Sequence, residues 1–197
     1  MALAHFKTIG NATDLPLIVF QYPLATGQGY PAATLERLFT EVPTIRAIKD
    51  WTPLVPQHER QIRALQKRRP PINVLSTNSA WLLSSLVLGC NGLLSGSGSV
   101  IADLQVRLYR AVRGNDLSQA RWLNDRIHPM ARVFYADPFI DMHNRMKEAL
   151  VLLGRLPRAV VRPPLVKITG AEIALIKDAL IEAELLAART AKVHHAA

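Results

Sequence analysis

One lysine stands where it could act as a nucleophile. Lys49 follows residues 45–48 (Ile-Arg-Ala-Ile), a pattern typical of a short buried strand. Strand alternation places Ile45, Ala47 and Lys49 on one face, and burial of that face would lower the pKa of the lysine amine. The neutral amine is the form that attacks a carbonyl carbon to give an imine. Spacing alone favours a lysine that leaves the strand end and reaches solvent, because such lysines are common.

Two further polar segments follow apolar runs, and each has two interpretations. Tyr22 comes after the run at residues 15–21, where its phenol could donate a proton or simply pack in a Tyr-Pro turn. The turn at residues 96–99 precedes a helical pattern, and it could offer backbone amides to an anion or be a plain tight turn. Ile101 stands where a dinucleotide-binding fingerprint needs its last glycine, so that fingerprint is excluded.

No set of side chains has the spacing of a metal site. Asp137, Asp141 and His143 match no ligand motif, and a capped helix start explains Asp137 as well. The other histidines of the folded region are isolated in the sequence: His5, His58 and His128. We therefore predict no metal and no other bound cofactor.

The composition favours a globular protein of the cytoplasm. Hydrophobic residues make up 49% of the 197 residues, which is too many for a disordered chain. The apolar runs are too short to span a bilayer, no secretory signal is evident, and the single cysteine, Cys90, fits a reducing compartment. The net charge of +9 is scattered, with few aromatic residues, so it favours a solvated surface or the steering of an anionic metabolite over nucleic-acid binding.

Four apolar segments, each followed by a helical pattern, predict parallel strands joined by helices. The predicted strands are residues 15–21, 45–49, 72–76 and 92–96, and the helices begin near Pro31, Pro56, Ser79 and Ser99. Such a series gives an α/β fold with right-handed crossovers. Four units could form a small doubly wound sheet or half of an eight-unit (β/α)8 barrel.

A helical region follows the four units. Its predicted helices are residues 116–136, 138–154 and 169–188, with an extended linker at 155–168. Pro129 is expected to bend or break the first, and Thr169 with Glu172 forms a capping box for the last. We predict a partial α/β domain over residues 1–115, a helical region over 116–190 and a disordered tail at 191–197.

Three segments and a lysine occur in a characteristic order. They are residues 20–27 (Phe-Gln-Tyr-Pro-Leu-Ala-Thr-Gly), residues 45–50 (Ile-Arg-Ala-Ile-Lys-Asp), residues 88–95 (Leu-Gly-Cys-Asn-Gly-Leu-Leu-Ser) and Lys147. In this order they resemble the dihydrodipicolinate synthase/N-acetylneuraminate lyase family, with its Tyr-Asn-x-Pro-x-x-(Thr/Ser)-Gly, Ile-x-Gly-Ile-Lys and Leu-Gly-x-x-Gly-x-Ile-Ser segments. The resemblance covers nearly the whole chain, and it implies the C-terminal half of a (β/α)8 barrel followed by a helical segment.

The resemblance also implies a chemistry. Lys49 matches the family lysine that forms an imine with pyruvate, which implies a Schiff-base lyase or aldolase acting on a 2-oxo acid without a separate cofactor. The residues that it implies around the substrate are Phe20, Thr26, Thr77, Leu94 and Ser95.

The chain departs from the family pattern at three places. Phe20 stands where the family has its proton-relay tyrosine, and Ala25 where dihydrodipicolinate synthase has the arginine for its second substrate's carboxylate. Both argue against dihydrodipicolinate synthesis itself. The loop at residues 76–79 also differs from the family's Ser-Gly-Asp-Asp. Tyr22, two residues beyond Phe20 and on the same side of an extended strand, is a candidate substitute proton donor.

The matched region lacks a counterpart to the family's first half, which carries the Thr-Thr pair that binds the keto acid's carboxylate. Half a barrel has two open strand edges and an uncovered inner face. We therefore expect it to pair with a second copy or with an N-terminal half. Two functions stay open: a lyase that acts through Lys49, and a catalytically inactive relative that serves as an oligomerising or ligand-binding module.

Overall fold

The computed structural model describes residues 1–187, which form two compact units. Residues 1–96 and 109–117 make the first unit, and residues 97–108 and 118 onwards make the second. The predicted tail at 191–197 and the last residue of the predicted final helix lie outside the described residues. Within residues 1–187, no helix combines the length and the hydrophobicity that crossing a membrane requires.

The first unit alternates strands and helices. Its strands are β1 (Leu17–Gln21), β2 (Ile45–Asp50), β3 (Asn73–Ser76) and β4 (Gly92–Leu93), and its helices are α1 (Ala2–Ala12), α2 (Ala32–Glu41), α3 (Val55–Leu65) and α4 (Leu82–Val87), with a 3₁₀ turn at Leu24–Thr26. The strands pair in parallel in the order β1-β2-β3-β4, so the predicted α/β fold with four parallel strands is confirmed. Strand β4 is shorter than predicted, because serine and glycine offer little to pack on a sheet.

The two faces of this sheet differ in burial. Val19, Ile48 and Val74 lie side by side in the register and are completely buried. Helix α2 adds its buried face of Leu35, Leu38 and Phe39 to the core, as its 3–4 spacing predicts. Phe20, Lys49 and Leu75, one residue further along each strand, are only partly buried. The core therefore lies on one face of the sheet, and the other face is partly open.

Helices make up the second unit. They are the first part of α5 (Gly98–Arg113), most of α6 (Leu117–Phe134), α7 (Met142–Leu152) and α8 (Gly170–Glu182), with a 3₁₀ turn at Phe139–Asp141. Helix α6 runs through Pro129, so of the predicted bend or break the break does not occur. Ile127, Met130 and Phe134 are buried on both sides of this proline, and their burial offsets the lost backbone hydrogen bond.

Arg145 and the start of α8 tie the second unit together. The Arg145 guanidinium is buried and donates to the carbonyl oxygens of Ala136 (2.5 Å), Asp137 (3.2 Å) and Pro138 (3.3 Å) and to the Glu172 carboxylate (3.2 Å). The predicted capping box is confirmed: the Glu172 amide donates to the Thr169 hydroxyl, and the Thr169 amide donates to the Glu172 carboxylate.

Candidate active site

Lys49 lies near the carboxyl end of the sheet, on its partly open face. The register places it between Phe20 of β1 and Leu75 of β3. From Ala47 to Asp50 the pairing is regular, so Ala47 and Lys49 share a face as predicted. A register shift before Ala47 takes Ile45 out of that alternation.

The Lys49 amine sits against an aromatic ring. Its Nζ lies 4.3 Å from the centre of the Phe20 ring. Burial lowers the pKa of Lys49, and within residues 1–187 no carboxylate forms an ion pair with it to oppose that shift. A desolvated lysine amine loses its proton more readily than a surface one, and it then has a lone pair for attack on a carbonyl carbon.

Tyr22 lies on the same side of β1 as Phe20. The two ring centres are 4.2 Å apart, and the Tyr22 ring also meets the edge of Trp51, with 5.2 Å between centres. The expectation that Tyr22 and Phe20 point the same way is therefore confirmed. The Phe20 ring lies against both the Lys49 amine and the Tyr22 ring, so the phenol belongs to the surroundings of the lysine.

The other predicted site residues are distributed around the same end of the sheet. The Thr77 amide donates to the Asp50 carbonyl (3.1 Å) and the Leu94 amide to the Ser76 carbonyl (2.8 Å), which holds both residues just beyond their strands. Ser95 is hydrogen-bonded to Ser79 through the two hydroxyl groups. The Thr26 hydroxyl donates to the Pro23 carbonyl (2.7 Å) and so closes its own turn. Their predicted contacts with a substrate remain predictions.

A buried polar network lies behind the end of β2. The Asp50 carboxylate accepts from the Thr52 amide (2.9 Å) through Oδ1, and its Oδ2 lies 2.7 Å from His58 Nδ1. His58 Nε2 is 2.7 Å from Ser85 Oγ, and Ser85 Oγ donates to Cys90 Sγ at 3.3 Å. Asp50, His58 and Ser85 are each at most 1% exposed. His58, although isolated in the sequence, therefore has polar partners in the fold.

The charge of His58 follows from its partners. Burial opposes protonation, but the hydrogen bond and charge of Asp50, with a further contribution from Cys90, raise the pKa of His58 to about 9. The imidazole is thus protonated at neutral pH and pairs with the Asp50 carboxylate. Asp50, His58, Ser85 and Cys90 are all buried. The serine, histidine and aspartate therefore cannot act together as an exposed nucleophilic triad.

A sequence signal for this network did exist. His58, Ile62 and Leu65 follow the 3–4 spacing of the buried face of α3. A histidine on such a face needs a polar partner. That requirement does not name the partner, since Asp50 and Ser85 come from other elements.

A cavity of about 380 Å³ lies elsewhere in the first unit. Its lining includes Gln21, Tyr30, Leu35 and Gln61, and Lys49 is not part of it. The Gln21 amide makes two 3.0 Å hydrogen bonds with the backbone of Tyr30. The cavity is therefore separate from the lysine site; both amide atoms of Gln21 are hydrogen-bonded, whereas the buried Oε1 of Gln61 has no partner within residues 1–187.

Four parallel strands in sequential order with helices, and a lysine near the carboxyl end of the second strand, have the arrangement of part of a (β/α)8 barrel. Comparison with known proteins gives the family. The dihydrodipicolinate synthetase family model matches residues 2–183, and the chain belongs to that family.

The chain covers only part of the length of the individual relatives that it matches. The chain is 31% identical over 182 residues to 4-hydroxy-tetrahydrodipicolinate synthase of Nitrobacter hamburgensis, which is 92% of the chain and 59% of that protein. It is 28% identical over 163 residues to the putative 2-dehydro-3-deoxy-D-gluconate aldolase YagE of Escherichia coli, 82% of the chain and 53% of that protein. The crystal structure of YagE in complex with pyruvate superposes with a TM-score of 0.82 at 27% identity, over 93% of the chain and 61% of YagE.

Proposed function

We propose that the chain is the imine-forming part of a class I, Schiff-base lyase or aldolase that acts on a 2-oxo acid. The single observation that carries this proposal is the partly buried Lys49, whose pKa is lowered by desolvation, at the carboxyl end of a parallel strand. Membership in the dihydrodipicolinate synthetase family and the likeness to a pyruvate complex of YagE support it.

The proposed reaction starts with attack of the neutral Lys49 amine on the C2 carbonyl of the 2-oxo acid. Water leaves, and the protonated imine draws electrons from C3. Loss of a C3 proton gives an enamine that attacks an aldehyde acceptor, and in the reverse direction the C3–C4 bond breaks. Tyr22, or a water molecule beside it, is the proposed proton carrier, because Phe20 has no exchangeable proton.

We propose that enclosing the substrate requires β-α units beyond those of residues 1–187. The matched relatives are longer, since the chain spans 53–61% of the two proteins named above. Ile18, at the start of β1, is 49% exposed. We propose that further β-α units, from an N-terminal half or a second copy, cover the partly open face of the sheet.

The exposure of Ile18 on the sheet also favours a second candidate function. This candidate is a catalytically inactive relative that serves as an oligomerising or ligand-binding module. Exposed apolar groups such as Ile18 on a sheet face are a typical association surface. Sedimentation velocity tests the association: a dimer that Ile18→Lys converts to a monomer supports it.

Borohydride trapping tests the enzyme. The protein is incubated with pyruvate or a longer 2-oxo acid, reduced, digested and analysed by mass spectrometry. We expect an adduct on the Lys49 peptide that Lys49→Arg abolishes and that the control Lys67→Arg, at an exposed lysine of the same unit, retains. Absence of an adduct with every 2-oxo acid contradicts the enzyme and leaves the inactive module.

A further inference from the structure

His58 is connected to Lys49 through Asp50, the residue that follows Lys49 in β2. Asp50 is the last residue of that strand, and its side chain points to the buried face while Lys49 points to the open one. A carboxylate so near in the chain, buried and unneutralised, would favour the protonated form of the lysine. The chemistry proposed for Lys49 needs the opposite.

The contacts of His58 favour its charged form. His58 Nδ1 and Asp50 Oδ2 are 2.7 Å apart and buried, and a carboxylate at this distance stabilises an imidazolium. His58 Nε2 lies 2.7 Å from Ser85 Oγ, which can accept its proton. Against the effect of burial, Asp50 and Cys90 raise the pKa of His58 to about 9, so the ring is an imidazolium at neutral pH.

We propose that His58 is a positioning residue for Lys49: its buried imidazolium cancels the charge of Asp50 and so allows the neighbouring amine to lose its proton. The reason for keeping Lys49 neutral rests on the proposed function. The effect of His58 on the ionisation of Lys49, however, does not depend on any substrate. It assigns a role to a network that is too deeply buried for chemistry of its own.

Within residues 1–187, few side chains lie next to these two sites. Phe20 contacts Lys49 from β1, with Tyr22 against the Phe20 ring, and Leu75 pairs with Lys49 from β3; of these only Tyr22 has an ionisable side chain. The groups around His58 are Asp50 from β2, Ser85 from α4, Cys90 beyond α4 and the Trp81 ring, whose centre is 5.1 Å from that of the imidazole. A change at His58 therefore reaches Lys49 mainly through the charge of Asp50.

The test measures the ionisation of Lys49 directly. Trace acetic anhydride acetylates neutral amines, and the pH dependence of the Lys49 peptide's acetylation gives a midpoint, with the exposed Lys67 as internal reference. If the separation of the two charges is taken as about 10 Å and the effective dielectric constant as about 20, an extra charge moves such a midpoint by about one pH unit. We expect His58→Gln to move the Lys49 midpoint upward by this amount.

A double variant separates charge from packing. Asp50→Asn/His58→Gln removes both charges, so its Lys49 midpoint should return to that of the unmodified protein, whereas a purely structural role would leave it displaced. Ser85→Ala breaks the network without changing its charge, and the Lys49 midpoint should stay in place. An unchanged midpoint in His58→Gln, no return in the double variant, or an equal shift in Ser85→Ala overturns the inference.

Two further measurements keep the outcomes distinct. Nitrogen NMR of the unmodified protein at pH 7 should show an imidazolium at His58, and a neutral ring overturns the inference even where a variant fails to fold. Acetylation needs no 2-oxo acid, so its result is independent of trapping. A midpoint shift without any borohydride adduct removes the proposed function alone, and adducts without a shift remove the inference alone.

Discussion

The Lys49 amine lies 4.3 Å from the centre of the Phe20 ring, directly across the β1–β2 ladder. The ring excludes water from one side of the amine, which favours the neutral form, while its face attracts a cation by about 0.5–1 kcal/mol at exposed sites. Phenylalanine has no proton to exchange. Any proton transfer at an imine on Lys49 must therefore use another group, and the nearest phenol of the aromatic row is Tyr22.

The role of Tyr22 can be tested by moving its hydroxyl. If Tyr22 carries the proton, Tyr22→Phe should slow borohydride-trapped imine formation by about 100-fold, the lower end of general acid–base catalysis. Phe20→Tyr/Tyr22→Phe should recover part of that loss, because it places a phenol beside Lys49. Initial trapping rates at fixed pyruvate provide the measurement. An unchanged rate in Tyr22→Phe would assign the proton transfer to water.

Gly29 controls the backbone of the loop that follows β1. A Cβ at this position would clash with the Tyr22 carbonyl oxygen and would lie 3.0 Å from the Leu24 Cα. Gly29→Ala must therefore displace the loop, and we expect a loss of about 1–3 kcal/mol in the free energy of unfolding together with slower trapping. Urea unfolding and trapping rates measure the two effects.

Gly27 offers a matched control for that loop. It has a φ of +73° and open space around the position of a Cβ. Asparagine tolerates this left-handed conformation, so Gly27→Asn should change both stability and trapping much less than Gly29→Ala. Equal losses in the two variants would mean that the loop tolerates no side chain at all, and that the contact with Tyr22 is not the cause.

Local patterns in the sequence predicted most of the first unit. Alternation and turn residues identified all four strands, and the spacing of Leu35, Leu38 and Phe39 identified the buried face of α2. These signals are local, so they need no knowledge of the fold. They left a bend or a break open at Pro129, where the helix continues with buried residues on both sides of the proline.

The polar network could not be predicted in the same way. Asp50, His58 and Ser85 are 8 and 27 residues apart along the chain, and only the packing of three elements brings them within 2.7 Å contacts. The open edges of the sheet, in contrast, could be predicted from the sequence. Counting four strand–helix units already predicted two unpaired edges, which the order β1-β2-β3-β4 reproduces within residues 1–187.

The capping box at α8 gives a stability prediction for the second unit. Thr169→Ala removes the acceptor of the Glu172 amide, and we expect the free energy of unfolding to fall by about 0.5–2 kcal/mol. Thr169→Ser keeps the hydroxyl and should retain most of it. Urea unfolding followed by circular dichroism measures both, and equal stability of the alanine and serine variants would contradict the role of the cap.

His58 predicts how stability depends on pH. Its pKa rises from about 6.5 in the unfolded chain to about 9 in the folded one, so its pair with Asp50 stabilises the fold fully below pH 6.5 and is lost as the pH rises through 9. The shift corresponds to about 3 kcal/mol between these limits. We expect the difference in the free energy of unfolding between the unmodified protein and His58→Gln to shrink by this order from pH 6 to pH 9.5. Urea titrations across that range measure it. Ser85→Ala, which keeps the charged pair, should retain most of the pH dependence, and a difference that does not vary with pH would contradict an imidazolium at His58.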